Sequence, residues 1–154
     1  MVTIKPKTTV KQRMTASCPT HSRSDVSVRD VSFVIDEPVE RDGTNMGPTP
    51  TETALGALAG CTNVIGNKVA HKLGLDVSNF NVSIVADFDR RGVTLNEEID
   101  VPFEAVKLRI ELSTTATQAE IDQLAVEVAK YCPLAKLFRQ AGTKIEEEWV
   151  IRAA

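Results

Sequence analysis

Residues 54–61, ALGALAGC, are all apolar or small, and this run constrains the fold more than any other feature of the chain. It follows a helix-start signal, because Thr49 and Glu52 have the spacing of a capping box and Pro50 stands at the first helical position. The pattern predicts one helix from Pro50 to about Leu73, ended by the glycine that follows. The first half of this helix has no polar face, so we expect it to be central and covered on all sides.

Two glycines, Gly56 and Gly60, lie within this run. Each lowers helix propensity by about 1 kcal/mol relative to alanine, which calls for a compensating reason. Close contact with the backbone of another element is one such reason. A second copy of the same helix could be that element.

Alternating apolar and polar residues predict strands elsewhere in the chain. The predicted strands cover residues 2–16, 25–36, 80–89 and 106–112, and a last strand begins at residue 145. Glycine and proline punctuate residues 36–49, which we expect to form an irregular connection.

Two further helices are predicted before the last strand. Thr117 and Glu120 form a second capping box, and the helix that they begin has an apolar stripe that reaches Cys132. Pro133 then starts a short helix. The order of elements predicts an α+β fold with an antiparallel sheet, in a single domain over residues 1–154.

Composition and charge exclude several classes of function. With 154 residues, of which 42% are hydrophobic, the chain can bury the core of one soluble domain. A net charge of −3 gives no attraction to nucleic acid or to anionic membranes. No apolar stretch approaches the length of a membrane span, and the N-terminus has no signal-peptide core, so the predicted location is the cytoplasm. In that compartment, three cysteines are more often thiols or metal ligands than a disulfide framework.

The residues alone leave the roles of the cysteines open. Cys132 directly precedes Pro133 and is a candidate N-cap, where unpaired backbone N–H groups and the helix dipole favour a thiolate. Cys61 lies in the middle of the long predicted helix, so a cation from elsewhere must lower its pKa if it is reactive. Both also fit small apolar residues packed in a core. Cys18 lies in a polar stretch and receives no role, and no CxxC or HxxxH spacing predicts a metal site.

The segments DEPVERDGTNMGPTPTETALGALAGC (residues 36–61) and KYCPLAKLF (residues 130–138) together resemble the OsmC/Ohr family of osmotically inducible and organic hydroperoxide resistance proteins. The resemblance runs from the DEP segment to the final predicted strand. It implies strands wrapped around a long central helix and two chains intertwined as a homodimer. It also implies an active site at the dimer interface.

The resemblance implies a chemistry as well. The cysteine matching Cys61 is the peroxidatic nucleophile, whose thiolate attacks the peroxide bond and becomes a sulfenic acid. The cysteine matching Cys132 then condenses with it to a disulfide. Members with this activity prefer organic hydroperoxides, a lipoyl-type or other dithiol reduces the disulfide, and no metal, haem or flavin cofactor is needed. The implied function is that of a thiol peroxidase in oxidative-stress defence.

Two further positions match the family less closely. In active members a glutamate directly follows the proline that starts the helix, and it pairs with an arginine that activates the thiolate. Here Thr51 holds that position and Glu52 comes next, so Glu52 is the candidate for this role. Arg29 and Arg23 are the candidate arginines, with Arg29 preferred for its position in a predicted strand. The departure at Thr51 keeps a second function open, that of a non-enzymatic redox-sensing or ligand-binding dimer.

Overall fold

The computed structural model describes residues 8–152, and the predicted α+β class is confirmed. The elements in chain order are β1 (Thr15–Ser17), β2 (Ser24–Val28), β3 (Val31–Ile35), a 3₁₀ helix (Val39–Arg41), α1 (Pro50–Leu73), β4 (Val77–Phe88), β5 (Phe103–Thr114), α2 (Gln118–Tyr131), α3 (Pro133–Gln140) and β6 (Lys144–Arg152). The chain divides into two compact units between Ala54 and Leu55. None of the helices between residues 8 and 152 is both long and apolar enough to cross a membrane.

Strands β1, β2 and β3 form an antiparallel sheet in the first unit. The strand predicted over residues 2–16 begins only at Thr15, because residues 8–14 have no regular structure, and residues 2–7 lie outside the described range. The strand predicted over residues 25–36 is instead the hairpin of β2 and β3. Arg29 has a φ of 54°, and this left-handed conformation turns the chain between the two strands.

The carboxylate of Asp36 organises the connection that follows β3. Asp36 is fully buried and accepts hydrogen bonds from the backbone N–H groups of Glu37, Thr44 and Met46 at 2.8, 3.0 and 3.1 Å. The hydroxyl of Thr44 donates a fourth bond at 2.5 Å. These bonds hold the pKa of Asp36 well below its ordinary value, with the Thr44 hydroxyl as the largest cause. The predicted irregular connection is therefore ordered around one charged group.

Strands β4, β5 and β6 form the sheet of the second unit, with β5 in the centre. The pairing of β4 with β5 is antiparallel, as predicted, whereas β6 pairs with β5 in parallel, so the expectation of an antiparallel sheet is wrong for this pair. The reason is the connection between them. Helices α2 and α3 return the chain to the end at which β5 began, and β6 then runs in the same direction as β5.

The core of the second unit lies on one face of this sheet, against α2. Every second residue of β5 from Val106 to Leu112 is buried, as the strand period of two requires. The buried side chains of β5 are Val106, Leu108, Ile110 and Leu112, and those of α2 are Ile121, Leu124 and Val128. Complete burial of a side chain of this size contributes about 1.5–3 kcal/mol to stability. This layer therefore fixes α2 and, with it, the residue that ends α2.

Helix α1 begins and ends at the residues that the sequence predicts. The N–H of Thr49 donates to Glu52 Oε2 at 2.8 Å, and the N–H of Glu52 donates to Thr49 Oγ1 at 3.3 Å, which completes the capping box. Gly74, directly after the helix, has a φ of +71° that few residues other than glycine adopt. The start and stop signals alone were enough to define this element.

The expectation that α1 is covered on all sides is wrong within a single chain. Its buried positions form one stripe, made of Leu58, Thr62, Gly66, Val69 and Ala70. A Cβ added at Gly66 would lie 3.0 Å from a ring carbon of Phe80, so this glycine permits the close approach of helix and sheet. A Cβ added at Gly56 or Gly60, where contact was expected, would have no atom of residues 8–152 within 4 Å.

Candidate active site

Cys61 and Cys132 lie next to each other in the second unit, although they are far apart in sequence. Their Sγ atoms are 3.0 Å apart, and the thiol of Cys132 donates to the sulfur of Cys61. Both thiols are free. Among the candidate residues from the sequence, these two are the ones that the structure brings into contact.

Cys132 occupies the junction of two helices. It is the C-cap of α2, where its N–H donates to the carbonyl of Val128 at 2.9 Å, and also the N-cap of α3. As the N-cap, its Sγ accepts the N–H of Ala135 at 3.5 Å. Pro133 fills the first position of α3, where a missing N–H costs nothing. The predicted N-cap role of Cys132 is confirmed.

The thiolate that the sequence predicts at this N-cap is not favoured. Only 1% of Cys132 is exposed, and this burial raises the pKa of its thiol to about 11, with the hydrogen bond to Cys61 acting in the same direction. The N–H of Ala135 lowers the pKa, but by less. Loss of hydration therefore outweighs the helix N-terminus, and Cys132 is a neutral thiol at neutral pH.

Cys61 has the complementary properties. It lies in the middle of α1, is partly exposed to solvent, and receives the hydrogen bond that Cys132 donates. Of the two sulfurs, that of Cys61 is the one open to solvent, and Cys132 carries the proton of the hydrogen bond between them. The pair can therefore act as an attacking thiolate, Cys61, beside a protonated partner, Cys132.

A groove of about 300 Å³ lies along the C-terminal half of α1. It is lined by Ile65, Lys68, Val69, Lys72 and Tyr131. The sequence reasoning did not identify these residues. The available signal was their spacing, because positions 61, 65, 68 and 72 fall on one face of a helix.

The two candidate arginines belong to the first unit and differ in their partners. Arg23 Nε lies 2.7 Å from the carboxylate of Asp25, and this hydrogen bond raises the pKa of Arg23. Arg29 is exposed in the β2–β3 turn and forms no salt bridge among the described residues. It lines a cavity of about 510 Å³ whose other cationic residues are Lys11 and Arg13. Arg29 is thus the arginine whose charge is not already paired.

Glu52 is part of the start of α1. Its carboxylate accepts the N–H of Thr49, and this hydrogen bond lowers the pKa of Glu52, with a smaller contribution from the charge of Arg41. The hydroxyl of Thr51 lies 3.2 Å from the hydroxyl of Thr49. Cys18 is exposed in the first unit, with its Sγ 3.4 Å from Ser24 Oγ.

Comparison with known proteins identifies the family. A sequence model described as OsmC-like protein matches residues 43–148, which is more than half of the chain and includes both Cys61 and Cys132. The chain belongs to the OsmC-like protein family. No curated protein sequence matches it at a significant level.

Solved structures of OsmC-like proteins share its fold at low sequence identity. The OsmC-like protein of Mycoplasma pneumoniae superposes with a TM-score of 0.79 at 18% identity, over 94% of this chain and 99% of the other. The organic hydroperoxide resistance protein OsmC of Legionella pneumophila gives a TM-score of 0.63 at 14% identity, over 96% and 100%. That of Bacillus subtilis gives 0.59 at 16% identity, over 91% and 98%. At these identities the likeness shows the fold.

Proposed function

We propose that this OsmC-like protein is a thiol peroxidase that reduces organic hydroperoxides through Cys61 and Cys132, in defence against oxidative stress. The observation that carries the proposal is the 3.0 Å separation of the two Sγ atoms, with the neutral thiol of Cys132 donating to the partly exposed Cys61. The names of the Legionella and Bacillus neighbours, organic hydroperoxide resistance proteins, point to the same class of substrate.

The first step oxidises Cys61. Its thiolate attacks one oxygen of the hydroperoxide, so that an S–O bond forms as the O–O bond breaks. The sulfur loses two electrons and becomes a sulfenic acid, while the other oxygen leaves with the organic group and takes a proton to become an alcohol. Water supplies this proton, so the thiol of Cys132, 3.0 Å from the reacting sulfur, keeps its own proton for the second step.

The second step forms a disulfide. The sulfur of Cys132 attacks the sulfenic sulfur, and the hydroxyl leaves as water with the proton that Cys132 gives up. The sulfurs need to approach by roughly 1 Å to reach disulfide bonding distance. A dithiol of the lipoyl type then supplies two electrons and two protons, which restores both thiols and closes the cycle.

A cation must stabilise the thiolate of Cys61, because the middle of a helix gives little help from the dipole. We assign this role to Arg29, whose guanidinium lacks a carboxylate partner among residues 8–152, and Glu52 is the candidate partner that holds it. Arg29→Ala is expected to slow oxidation of Cys61 by about ten- to a hundredfold. Arg29→Lys should recover part of this loss, and Arg13→Ala, in the same cavity, should have little effect. Equal rates in Arg29→Ala and Arg13→Ala would remove Arg29 from the mechanism.

We also propose that the protein is a homodimer, located in the cytoplasm. Gly56 and Gly60 face open space in the single chain, and Ala57 and Val64 on the same helix are exposed. A second copy that packs on this face gives the two glycines the close contact that their cost in helix propensity requires. Sedimentation at micromolar concentration is expected to give twice the mass of the chain, and a single-chain mass would contradict the dimer.

A non-enzymatic redox-sensing or ligand-binding dimer is the second candidate. Thr51 replaces the family glutamate, and the carboxylate of Glu52 already accepts the N–H of Thr49. Both observations favour a protein that keeps the thiol pair without fast turnover.

The deciding experiment counts free thiols in the reduced protein before and after one equivalent of cumene hydroperoxide. The wild type and Cys18→Ser, the matched control, should each lose two thiols rapidly, and Cys61→Ser should consume no peroxide. If Cys132→Ser consumed no peroxide while Cys61→Ser did, the roles of the two cysteines would be reversed. Unreacted thiols in every variant would favour the second candidate.

A further inference from the structure

A cavity of about 510 Å³ in the first unit lies beside the start of β1 and the end of β2. β1 and β2 are antiparallel, with Thr15 opposite Ser27. The same register continued before Thr15 would place Met14 opposite Val28 and Arg13 opposite Arg29. The cavity is lined by these last four residues together with Lys11 and Gln12. Its volume is in the range of small-molecule sites, so two segments of the chain together enclose space for a small organic ligand.

Three of the residues that line this cavity are cations: Lys11, Arg13 and Arg29. None of them forms a salt bridge within residues 8–152. Asp30, the next residue after Arg29, is exposed and does not line the cavity. Like charges that face each other across neighbouring strands are destabilising. An anion bound among the three cations would supply the compensating charge.

The backbone of Arg29 gives a second, independent indication. Its φ of 54° lies in the left-handed region, and it occupies the turn between β2 and β3. A turn of this kind ordinarily has glycine, asparagine or aspartate where φ is positive, because a larger side chain crowds the backbone in that conformation. Backbone strain of this kind is concentrated at functional sites. The strained residue here is one of the cations of the cavity.

We propose that this cavity binds a small organic phosphate ester. The phosphate group accepts hydrogen bonds from Arg13 and Arg29, since planar guanidinium groups match the oxygens of a phosphate, and Lys11 adds a third positive charge. The apolar part of the ligand packs against Val28 and Met14, of which Met14 is 63% exposed in the free protein. A phosphate dianion balances this charge better than a carboxylate, which has one negative charge. Binding at this site does not depend on the proposed peroxidase function.

The test is a calorimetric titration of the reduced protein with phenyl phosphate, benzoate and inorganic phosphate. Phenyl phosphate should bind about five- to twentyfold more tightly than benzoate, because it has the same ring but more charge and more acceptor oxygens. Inorganic phosphate, which lacks the ring, should bind more weakly than phenyl phosphate. Added salt should weaken binding, because it screens exposed charges. Equal affinity for phenyl phosphate and benzoate, or no binding of either, would overturn the proposal.

Variants of the lining residues locate the binding. K11Q/R13Q should weaken the binding of phenyl phosphate by about tenfold or more. Arg29→Asn should do the same, because asparagine tolerates the left-handed turn but has no charge. The matched control R90Q/K136Q removes two positive charges from exposed positions of the second unit and should bind as the wild type does. Equal weakening in both double variants would show that net charge alone holds the ligand, which would overturn the site.

A kinetic measurement tests the part that Arg29 plays, because we also assign this residue to the thiolate of Cys61. Saturating phenyl phosphate should slow the oxidation of Cys61 by cumene hydroperoxide about as much as Arg29→Ala does. K11Q/R13Q should be slowed much less at the same ligand concentration. If Arg29→Ala slows the oxidation but bound phenyl phosphate does not, the ligand does not engage Arg29 and the site as proposed is wrong. If the wild type consumes no peroxide, the peroxidase proposal fails and the titrations still decide whether the cavity binds phosphate esters.

Discussion

The two helical segments that hold the cysteines give chemically similar groups opposite properties. On α1, Cys61 sits mid-helix with part of its surface exposed and accepts a hydrogen bond. At the α2–α3 junction, Cys132 is buried at a helix N-terminus, yet the pKa of its thiol is raised to about 11. The helix dipole alone would make Cys132 the thiol that ionises more readily. Burial decides the order, because the dipole contributes only about 0.3–1 kcal/mol at an exposed site.

The largest expected effect is the loss of reaction with peroxide when Cys61 is replaced. Cys61→Ser is expected to lower the second-order rate constant for cumene hydroperoxide by at least about a thousandfold, because the attacking sulfur is gone. Stopped-flow measurement of tryptophan fluorescence or peroxide loss gives this rate. A Cys61→Ser protein that still consumed peroxide through Cys132 would show that Cys61 is not the attacking cysteine.

The pH dependence of alkylation tests the raised pKa of Cys132 directly. Cys18→Ser/Cys61→Ala removes the hydrogen bond to Cys61 and keeps the burial of Cys132, so the reaction of Cys132 with iodoacetamide should keep rising above the ordinary pKa of a thiol, to a midpoint below the value of about 11 in the intact pair. At pH 8 its thiolate fraction should be well below that of an ordinary thiol. Because the neutral thiol is favoured in the fold, the stability that it contributes is present below its ordinary pKa and is lost as pH rises towards 11. Cys18 in Cys61→Ala/Cys132→Ala is the control, and a Cys132 midpoint near that of Cys18 would refute the effect of burial.

Cys132→Ser should affect turnover and spare the first oxidation. We expect the steady-state rate with a dithiol reductant to fall by about tenfold or more, because the sulfenic acid on Cys61 lacks its resolving thiol. A single turnover should proceed within about threefold of the wild type and leave a sulfenic acid that dimedone labels. Mass spectrometry after dimedone treatment checks this outcome, and absence of the label with a slow first step would assign the attack to Cys132.

The smallest expected effect concerns the start of α2, the helix that ends at Cys132. Thr117 accepts the N–H of Glu120 and completes a capping box, so Thr117→Ala should lower the free energy of unfolding by about 1 kcal/mol. Urea denaturation measures this change, with Thr115→Ala, at an exposed position outside α2, as the control. Disulfide formation should slow slightly and oxidation of Cys61 should not change. A slower first oxidation would mean that the two segments are not independent.

Features with a local chemical cause could be predicted from the sequence. The bounds of α1 follow from the Thr49–Glu52 capping box and from Gly74, whose conformation few residues other than glycine adopt. The Cys132–Pro133 junction follows in the same way from the properties of proline.

Features without a local signal in the sequence could not be predicted. The β2–β3 turn was missed because Arg29 holds a conformation that sequence normally marks with glycine or asparagine. The parallel direction of β6 leaves no trace in its alternating pattern, which is the same in either direction. The contact of Cys61 with Cys132 spans 71 residues, so it came only from family resemblance. The high pKa of Cys132 required knowledge of its burial.

The weak hydrogen bond from Ala135 to the sulfur of Cys132 has a consequence for spectroscopy. When that sulfur joins Cys61, it moves towards α1 and loses its proton, and the amide of Ala135 loses the acceptor that caps the start of α3. The chemical shift and solvent exchange of this one amide proton thus register the oxidation state of the protein. A single resonance in the first turn of α3 can follow the catalytic cycle in real time, with no label on either cysteine.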